Sequence, residues 1–253
     1  MTELSETLVV TVTYNEMEML PRLVEAVFQA APTVDILVVD DNSPDGTGQW
    51  CEEYSKRDPR VRCLQRPGKF GIGSAVAEGL RYAIDHGYRY VMTLDADFSH
   101  PPDKIPELLA ALQQPSDPPV DVVIGSRYVN GGSIQGWPWY RYLMSWAINT
   151  FSRLLLRLPV RDCSGNFRGY RASVLATLNW EEFCSKGYAF FEEILFRLRQ
   201  EGAQFREIPI CFVERRGGHS KMRWQEALSA VGIIVRLAFC GVCRRIRKRK
   251  KPR

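Results

Sequence analysis

Leu8-Val-Val-Thr-Val-Thr13 and Asp35-Ile-Leu-Val-Val-Asp40 decide the fold of this chain. Both stretches are short and rich in β-branched residues, which predicts two buried strands. Between them, apolar residues recur at helical spacing: Leu20, Leu23, Val24, Val27, Phe28 and Ala31. A strand, a helix and a strand in succession form a βαβ unit, so we expect a parallel sheet with right-handed crossovers.

The same alternation continues along the first half of the chain. Val61–Leu64, the run from Arg89 to Leu94, and Val120–Ile124 predict three further strands, and helices are predicted over Gly73–Asp85 and from about Pro102. Nearly continuous apolar strands fit a sheet that helices cover on both faces. The predicted fold class is therefore α/β, with a mostly parallel, Rossmann-like sheet flanked by helices.

Basic residues are concentrated at the C-terminal end. The chain has a net charge of +5 at pH 7, but residues 244–253 contain eight lysines and arginines and no acid. The remaining body has 26 basic and 29 acidic residues, a net charge of −3. This distribution predicts a local electrostatic anchor and no nucleic-acid-binding surface. The polar stretch Thr2–Glu6 indicates no signal peptide, so we expect a cytoplasmic location with reduced thiols.

Two segments after Gly136 are candidates for membrane contact. Residues 137–158 are dense in aromatic residues and leucines with arginines between them, which predicts an amphipathic interfacial helix; a core helix of an accessory layer is the alternative. Ala227–Cys243 is apolar except for Arg236, at the short limit for a span. With the polybasic tail after it, a helix that lies on the membrane or docks on protein is favoured. We expect peripheral association with the cytoplasmic face of a membrane, with a membrane-protein partner as an open alternative.

Polar or glycine-rich segments follow all five of the predicted strands. They are Thr13–Glu16, Asp40–Thr47, Arg66–Ala75, Asp95–Asp97 and Gly125–Tyr128. Each one alone is explained by a cap, a turn or a solvated charge. Because ligands bind beyond the carboxyl ends of the strands in open α/β sheets, five such segments together predict one ligand site.

The residue types in these segments predict a nucleoside diphosphate as the ligand. Asp95 and Asp97 form a compact negative patch that a hard divalent cation, Mg²⁺ or Mn²⁺, can share with phosphates. Tyr14 can stack on a base, and Lys69 beside glycines suits a phosphate. The pattern G-x-x-x-x-G-K-[ST] is absent from the sequence, which argues against ATP held in a P-loop.

Taken together, the segments resemble those of family 2 glycosyltransferases with the GT-A fold, and are most similar to dolichol-phosphate (polyprenyl-phosphate) mannosyltransferases. The matching stretches follow the family's order over about residues 8 to 222: Thr13–Glu16, Val39–Thr47, Gly68–Ala75, Leu94–Pro102, Gly125–Gly132, Asp162–Arg168, Gly187–Phe190 and Phe212–Met222. The last stretch is the most specific. Two positions depart from the pattern: Val12 stands where a proline is common, and Asn166 stands where the loop usually carries a glycine.

The resemblance implies a role for each matching position. It implies nucleotide binding by Thr13, Tyr14, Glu16, Asp41, Lys69, Asp95 and Ala96. It implies a metal shell from Asp95, Asp97 and Ser99. It implies contact with the acceptor phosphate by Arg127, Arg141, Arg215, Ser220 and Lys221, and a catalytic role for Asp97, Arg127, Arg215 and Lys221.

The implied reaction is transfer of a hexose, most simply mannose from GDP-mannose, to a polyprenyl or dolichyl phosphate, with inversion and with Mg²⁺ or Mn²⁺. A phosphate monoester is already anionic at neutral pH, so we expect none of the three histidines to act as a catalytic base. Two alternatives stay open: a polyprenyl-phosphate glucosyltransferase that uses UDP-glucose, and a catalytically silent nucleotide-sugar-binding subunit of a membrane complex. We expect a catalytic domain over residues 1–222, including the helix at 137–158, and an apolar helix with a polybasic tail over 223–253.

Overall fold

The computed structural model describes residues 5–214 and 231–239. Its strands are β1 (Thr7–Thr13), β2 (Asp35–Asp40), β3 (Val61–Gln65), β4 (Tyr90–Asp95), β5 (Val122–Ser126), β6 (Ser133–Gln135), β7 (Arg168–Arg171), β8 (Phe205–Pro209) and β9 (Cys211–Val213). Its helices are α1 (Leu20–Ala30), α2 (Thr47–Arg57), α3 (Ile72–Asp85), α4 (Ile105–Gln113), α5 (Trp139–Leu156), α6 (Ala172–Leu175), α7 (Phe190–Gln200) and α8 (231–239). Short 3₁₀ turns lie at Pro102–Lys104 and Trp180–Glu182.

A seven-stranded sheet forms the centre of the molecule, in the order β3-β2-β1-β4-β7-β5-β8. Neighbouring strands are parallel except β7, which is antiparallel to both β4 and β5. The predicted βαβ unit is confirmed, because β1 pairs with β2 in parallel along its length. The sequence patterns did not predict β7, which separates β4 from β5. The prediction of a mostly parallel α/β sheet is confirmed.

The sheet is buried on both faces, as the apolar strands predicted. In β1, Leu8 and Val10 point into the layer that contains α3 and α7, whereas Val9 points into the layer of α1 and α4. This alternation follows from the two-residue repeat of a strand. Helices on both faces leave the carboxyl ends of the parallel strands as an open edge, where the loops meet.

Helix α5 exposes most of its large apolar side chains and buries polar ones, the reverse of an ordinary surface helix. It confirms the helix predicted at 137–158, but the residues it buries are Asn149, Ser152 and Leu156. The large side chains that it exposes are Trp139, Tyr140, Tyr142, Leu143, Trp146, Phe151, Leu154 and Leu155. A contiguous exposed apolar face of this kind marks an interaction surface. None of the helices in residues 5–214 and 231–239 is long and apolar enough to cross a membrane.

Helix α8 is the described part of the apolar segment predicted at Ala227–Cys243. Ile234 and Leu237 are buried against the core that contains α3 and α7, while Phe239 is exposed. One face of this helix therefore docks on protein. The predicted boundary between residues 222 and 223 lies outside the described residues and stays a prediction.

Two predicted boundaries shift slightly. Strand β5 begins at Val122 and not at Val120, whose carbonyl accepts a hydrogen bond from Arg171 Nε at 2.8 Å instead of joining the sheet. The helix predicted from Pro102 begins as a 3₁₀ turn and becomes α4 at Ile105. Neither shift moves a predicted site residue away from the edge of the sheet.

Candidate active site

The loops after β1 and β2 are joined by one buried carboxylate, Asp40. Thr13 Oγ1 and Ser43 Oγ donate to Asp40 Oδ1 at 2.7 and 2.6 Å, and the Ser43 backbone N–H donates to Asp40 Oδ2 at 2.9 Å. Ser43 Oγ accepts in turn from the Asn15 N–H at 3.0 Å. The hydroxyl of Thr13, a predicted nucleotide contact, thus holds two loops together, and its contact with a nucleotide stays a prediction.

Asp45 and Thr47 hold the loop that carries Tyr14 and Glu16. The Glu16 N–H donates to Thr47 Oγ1 at 3.1 Å, and Thr47 Oγ1 donates to Asp45 Oδ1 at 2.6 Å. Burial works to raise the pKa of Asp45, but hydrogen bonds from Thr47 and the Met17 N–H outweigh it and hold that pKa below its ordinary value. The polypeptide around the predicted base-binding residues is therefore preorganised.

Asp41 lies at the centre of a charged group beside these loops. Burial raises its pKa, although the neighbouring Arg66 guanidinium opposes that shift. Arg66 forms an ion pair with Asp41 and also donates to Ser74 Oγ, at 2.6 Å, in the first turn of α3. Lys69 Nζ lies 4.2 Å from the centre of the Tyr14 ring, a cation–π contact. The structure thus brings together three predicted nucleotide-binding residues: Tyr14, Asp41 and Lys69.

The Asp95-Ala96-Asp97 triplet lies at the end of β4, as predicted. Ala96 is buried, and Phe98 turns the chain with a φ of 59°. Asp97 Oδ1 accepts a hydrogen bond from the Ser99 N–H at 3.0 Å. Asp95 Oδ1 accepts one from Asn166 Nδ2 at 2.8 Å. The two carboxylates are thus oriented separately, one by the turn that follows it and the other by a neighbouring loop.

His100 lies directly behind this triplet and is fully enclosed. Burial lowers its pKa, although the carboxylates of Asp95 and Asp97 oppose that shift. Its Nδ1 accepts a hydrogen bond from the Asp95 backbone N–H at 3.1 Å, and its ring stacks on Phe167 at 5.4 Å. A ring that accepts a hydrogen bond from the backbone supports the turn, and the expectation that His100 is not a catalytic base stays a prediction.

Arg127 is buried in a bidentate ion pair with Asp162. Its Nε and Nη2 donate to the two Asp162 oxygens at 2.7 Å each, and Nη2 also donates to Ser164 Oγ at 3.0 Å. Burial works to lower the pKa of Arg127 and to raise that of Asp162, but their mutual attraction outweighs it and shifts both the other way. The contact of Arg127 with the acceptor phosphate stays a prediction, since its ion pair and hydrogen bonds all go to the loop at Asp162.

Arg141 lies in the first turns of α5 and forms an ion pair with Glu214. Its guanidinium is also 4.3 Å from the centre of the Trp137 ring. The remaining predicted phosphate contacts, at Arg215, Ser220 and Lys221, lie outside the described residues. Glu214 is the last described residue before that stretch, and it lies beside Arg141.

The oxygen ligands at the Asp95–Asp97 triplet fit a divalent cation that leaves some of its coordination positions to phosphates and waters. Among residues 5–214 and 231–239, no three His, Cys, Asp or Glu side chains converge on one point, so a complete protein cage is not present there. Mg²⁺ is usually held by one or two carboxylates together with substrate phosphates and waters, and Asp95 and Asp97 supply these two. Ser99 Oγ beside them is buried without a hydrogen-bond partner in the described structure, as expected of an atom that awaits a ligand.

Sequence reasoning assigned no role of its own to four residues at or near this edge. Arg66, Asp162 and Asn166 contact predicted site residues through tertiary structure. Arg66 begins a predicted ligand-site segment, and Asp162 and Asn166 lie in a stretch that the family resemblance marked. Glu192, in the first turn of α7, is buried, and burial raises its pKa to about 7. A carboxylate in a helix pattern gives no sequence signal of such burial.

The family model described as "Glycosyl transferase family 2" matches residues 8–178, which contain the strands and loops described above except β8 and β9. The chain belongs to glycosyl transferase family 2. It is therefore a glycosyltransferase by family, and the resemblance noted in its motifs is confirmed. The match ends before α7 and before the stretch at residues 215–222.

Two curated relatives match most of the chain. An undecaprenyl-phosphate mannosyltransferase of Micrococcus luteus is 42% identical over 210 residues, covering 83% of this chain and 84% of the relative. A polyprenol monophosphomannose synthase of Mycolicibacterium smegmatis is 43% identical over 217 residues, covering 85% and 80%. Both relatives carry names that describe mannosyl transfer to a polyprenyl phosphate.

A solved structure of another enzyme has the same fold. Glucosyl-3-phosphoglycerate synthase from Mycobacterium tuberculosis, in complex with Mn²⁺, UDP-glucose and phosphoglyceric acid, matches with a TM-score of 0.64 at 16% identity. The match covers 92% of this chain and 79% of that one. At this identity the likeness shows the fold alone, and it confirms the predicted fold class.

Proposed function

We propose that this family 2 glycosyltransferase transfers mannose from GDP-mannose to a polyprenyl phosphate, with inversion at the anomeric carbon. The two mannosyltransferase relatives, at 42% and 43% identity, support the sugar and the class of acceptor. GDP as the nucleotide and inversion rest on the family resemblance. The proposal also includes a divalent cation, Mg²⁺ or Mn²⁺, at Asp95 and Asp97.

The observation that carries the proposal is the placement of one carboxylate pair among preorganised loops. Asp95 and Asp97 end β4, which lies beside β1, and β1 and β2 carry the joined loops around Asp40. A nucleoside over Tyr14 and Asp41 would place its diphosphate toward the triplet at the end of the neighbouring strand. This arrangement suits a nucleotide-linked donor and leaves the side toward α5 for the acceptor.

Each residue group would contribute a separate part of the reaction. Asp41 and the Tyr14 loop would bind the nucleoside, and Lys69 would attract the phosphates. Asp95 and Asp97 would hold the cation, which would neutralise the charge that develops on the departing diphosphate. The buried Arg127–Asp162 pair would keep the loop beneath the sugar rigid, because a bidentate pair fixes both side chains.

The acceptor is a lipid, and α5 would bring the site to it. Helix α5 carries Arg141 in its first turn. It exposes Trp139, Leu143, Trp146 and Leu154. Aromatic side chains with arginines near them are typical of helices that lie at a membrane surface. We propose peripheral binding to the cytoplasmic face of a membrane, with the lipid phosphate reaching the site past Arg141.

A direct assay tests the proposal. Purified protein would be incubated with GDP-[¹⁴C]mannose, Mn²⁺ and dolichyl phosphate in detergent, with UDP-[¹⁴C]glucose in a parallel sample, and the organic phase would be counted. We expect label in the lipid fraction from GDP-mannose, with Mg²⁺ tested as a substitute cation. Mild acid would release the mannose from the product, since a polyprenyl phosphate glycoside is acid-labile.

The outcomes separate the alternatives. Label from UDP-glucose alone would support a polyprenyl-phosphate glucosyltransferase and contradict the proposal. Binding of either nucleotide sugar without any transfer, with the protein folded and lipid acceptor present, would indicate a catalytically silent subunit. Label in a water-soluble saccharide would show a different acceptor.

A further inference from the structure

Asn166 lies directly opposite Asp95, at the end of the neighbouring strands β4 and β7. Strands β4 and β7 pair antiparallel, with Thr93 opposite Arg168 as the last pair. Continuing this register by two residues on each strand places Asp95 opposite Asn166. Residues directly opposite each other in an antiparallel pair point to the same face, so the two side chains meet. Asn166 Nδ2 donates to Asp95 Oδ1 at 2.8 Å.

The orientation of this amide follows from the chemistry of its partner. An ionised carboxylate can only accept hydrogen bonds, so the amide atom that faces Asp95 is the nitrogen. The backbone of Asn166 is also held, because its carbonyl accepts from Thr93 Oγ1 at 2.6 Å. Only 4% of the residue is exposed, so the protein encloses its side chain.

The amide oxygen of Asn166, Oδ1, forms no hydrogen bond with Asp95. This atom is buried and has no hydrogen-bond partner in the described part of the chain, and the same holds for Ser99 Oγ. Leaving a buried polar atom unpaired costs free energy, and such an atom in a folded protein indicates a bound water, ion or ligand. Both atoms belong to residues that contact the carboxylates of the triplet, Ser99 on Asp97 and Asn166 on Asp95.

We propose that Asn166 is a positioning residue for donor binding: its Nδ2 orients the Asp95 carboxylate, and its Oδ1 accepts a hydrogen bond from an O–H group of the bound donor–cation complex. The inference rests on the proposed function. The O–H group belongs either to a water on the cation or to a hydroxyl of the donor sugar. A glycine at this position could supply neither bond, because it has no side chain.

Mn²⁺ titrations of the full-length protein test the inference by binding and not by activity. Free Mn²⁺ would be followed by electron paramagnetic resonance in the presence of saturating GDP and, separately, of saturating GDP-mannose. We expect Asn166→Ala to weaken Mn²⁺ binding about tenfold, the lower end of the range for residues that orient a metal ligand. Asn166→Gly is a second variant in case the alanine protein does not fold, and unfolding midpoints are measured for both.

Thr93→Val is the matched control. It removes the hydrogen bond to the Asn166 carbonyl but leaves the Asn166 side chain in place, with a side chain of nearly the same shape as threonine. It lowers the unfolding midpoint and leaves Mn²⁺ affinity within about twofold if the Asn166 side chain is what matters. Equal losses of Mn²⁺ affinity in Thr93→Val and Asn166→Ala would show that the loop only packs, and would overturn the inference.

The two complexes separate the sources of the O–H group. A loss of Mn²⁺ affinity of the same size with GDP and with GDP-mannose agrees with the lost Nδ2 bond to Asp95 and a bond from Oδ1 to a cation-bound water. A further loss with GDP-mannose assigns the Oδ1 bond to a sugar hydroxyl. Wild-type Mn²⁺ affinity in both folded Asn166 variants overturns the inference while leaving the proposed function intact. Failure of the wild-type protein to bind Mn²⁺ with GDP overturns both.

Discussion

Helices α3 and α5 differ in what they bury. Helix α3 buries Ala75, Val76, Leu80 and Ala83 against the sheet and turns charged residues outward. Helix α5 buries Asn149, Ser152 and Leu156 and exposes its aromatic residues and its other leucines. The burial of apolar side chains by α3 stabilises the fold. The largest side chains of α5 are exposed, so they add no such stabilisation. Helix α3 therefore belongs to the protein interior, whereas α5 presents its apolar side for a contact outside the fold.

The buried polar face of α5 has its own purpose. Asn149 Oδ1 accepts hydrogen bonds from the Cys163 and Ser164 N–H groups, at 2.7 and 3.1 Å, and its Nδ2 donates to Ser164 Oγ at 3.0 Å. These bonds tie α5 to the loop that holds Arg127. The helix is therefore attached to the site through hydrogen bonds, which leaves its apolar side available.

The largest expected effect is on the donor side. Asp97→Ala removes a carboxylate of the proposed cation site and should lower mannosyl transfer about 1,000-fold or more, because cation stabilisation of the leaving group is worth several kcal/mol. The unfolding midpoint should change little, since Asp97 is partly exposed at the end of a strand. Transfer would be measured at saturating GDP-mannose and Mn²⁺.

The control for Asp97→Ala is Asp103→Ala, an exposed acid six residues along the same segment. It should keep wild-type transfer. Most of the activity surviving in Asp97→Ala would contradict the cation site at this triplet.

A matched pair of leucines tests the contrast between the two helices directly. Leu80→Ala in α3 deletes a fully buried side chain and should lower the free energy of unfolding by about 2 to 5 kcal/mol. Leu154→Ala in α5 removes a side chain that is 70% exposed and should change it by about 0.5 kcal/mol or less. Urea unfolding followed by circular dichroism measures both, and similar losses would show that α5 packs as a core helix.

Glu192 predicts a pH dependence of stability. Burial raises its pKa to about 7 from an ordinary value of 4.5, so the folded protein favours the protonated form. The resulting stabilisation is fully present below about pH 4.5 and is lost as the pH rises through about 7, a change of up to about 3 kcal/mol. Glu192→Gln cannot ionise and should remove this part of the pH dependence between pH 5 and 8.

Urea unfolding at several pH values checks this prediction, with the exposed Glu201→Gln as the control. The control should follow the wild-type curve. If Glu192→Gln follows it as well, the buried carboxyl does not titrate in this range.

The smallest effect concerns membrane binding by α5. Trp146→Ala removes an aromatic side chain that is about half exposed on the apolar face of α5. It should weaken partitioning into phospholipid vesicles about tenfold, because fully burying a large apolar side chain is worth about 1.5 to 3 kcal/mol. Stability should be unchanged. Co-sedimentation with vesicles measures the partitioning, and Glu78→Ala on the exposed face of α3 serves as the control.

Wild-type partitioning of Trp146→Ala would indicate that this face of α5 is covered by a protein partner and not by lipid. That result would leave the contrast between α3 and α5 in place but would change what α5 contacts.

Much of the sheet could be predicted because local patterns carry it. The βαβ start and the five predicted strand ends, with the Asp95–Asp97 triplet at one of them, follow from apolar runs and from the polar residues after them. Strand β7 could not be predicted in this way, since its four residues include two arginines and a glycine. Arg168 is nevertheless fully buried, where its guanidinium donates to the carbonyls of Phe191 and Cys163 at 2.8 and 2.7 Å.

The amino-acid order was sufficient for the fold class, the family and the carboxylate pair, because strand periodicity and motif spacing are local properties of the chain. Partners were decided by the tertiary structure: Asn166 meets Asp95 only because β7 runs antiparallel beside β4, and Arg127 meets Asp162 across 35 residues. Such pairs depend on the register between distant segments, which the sequence around either residue does not contain. The direction of α5 was also decided there, because an aromatic-rich helix can face a core as easily as a membrane until its neighbours are known.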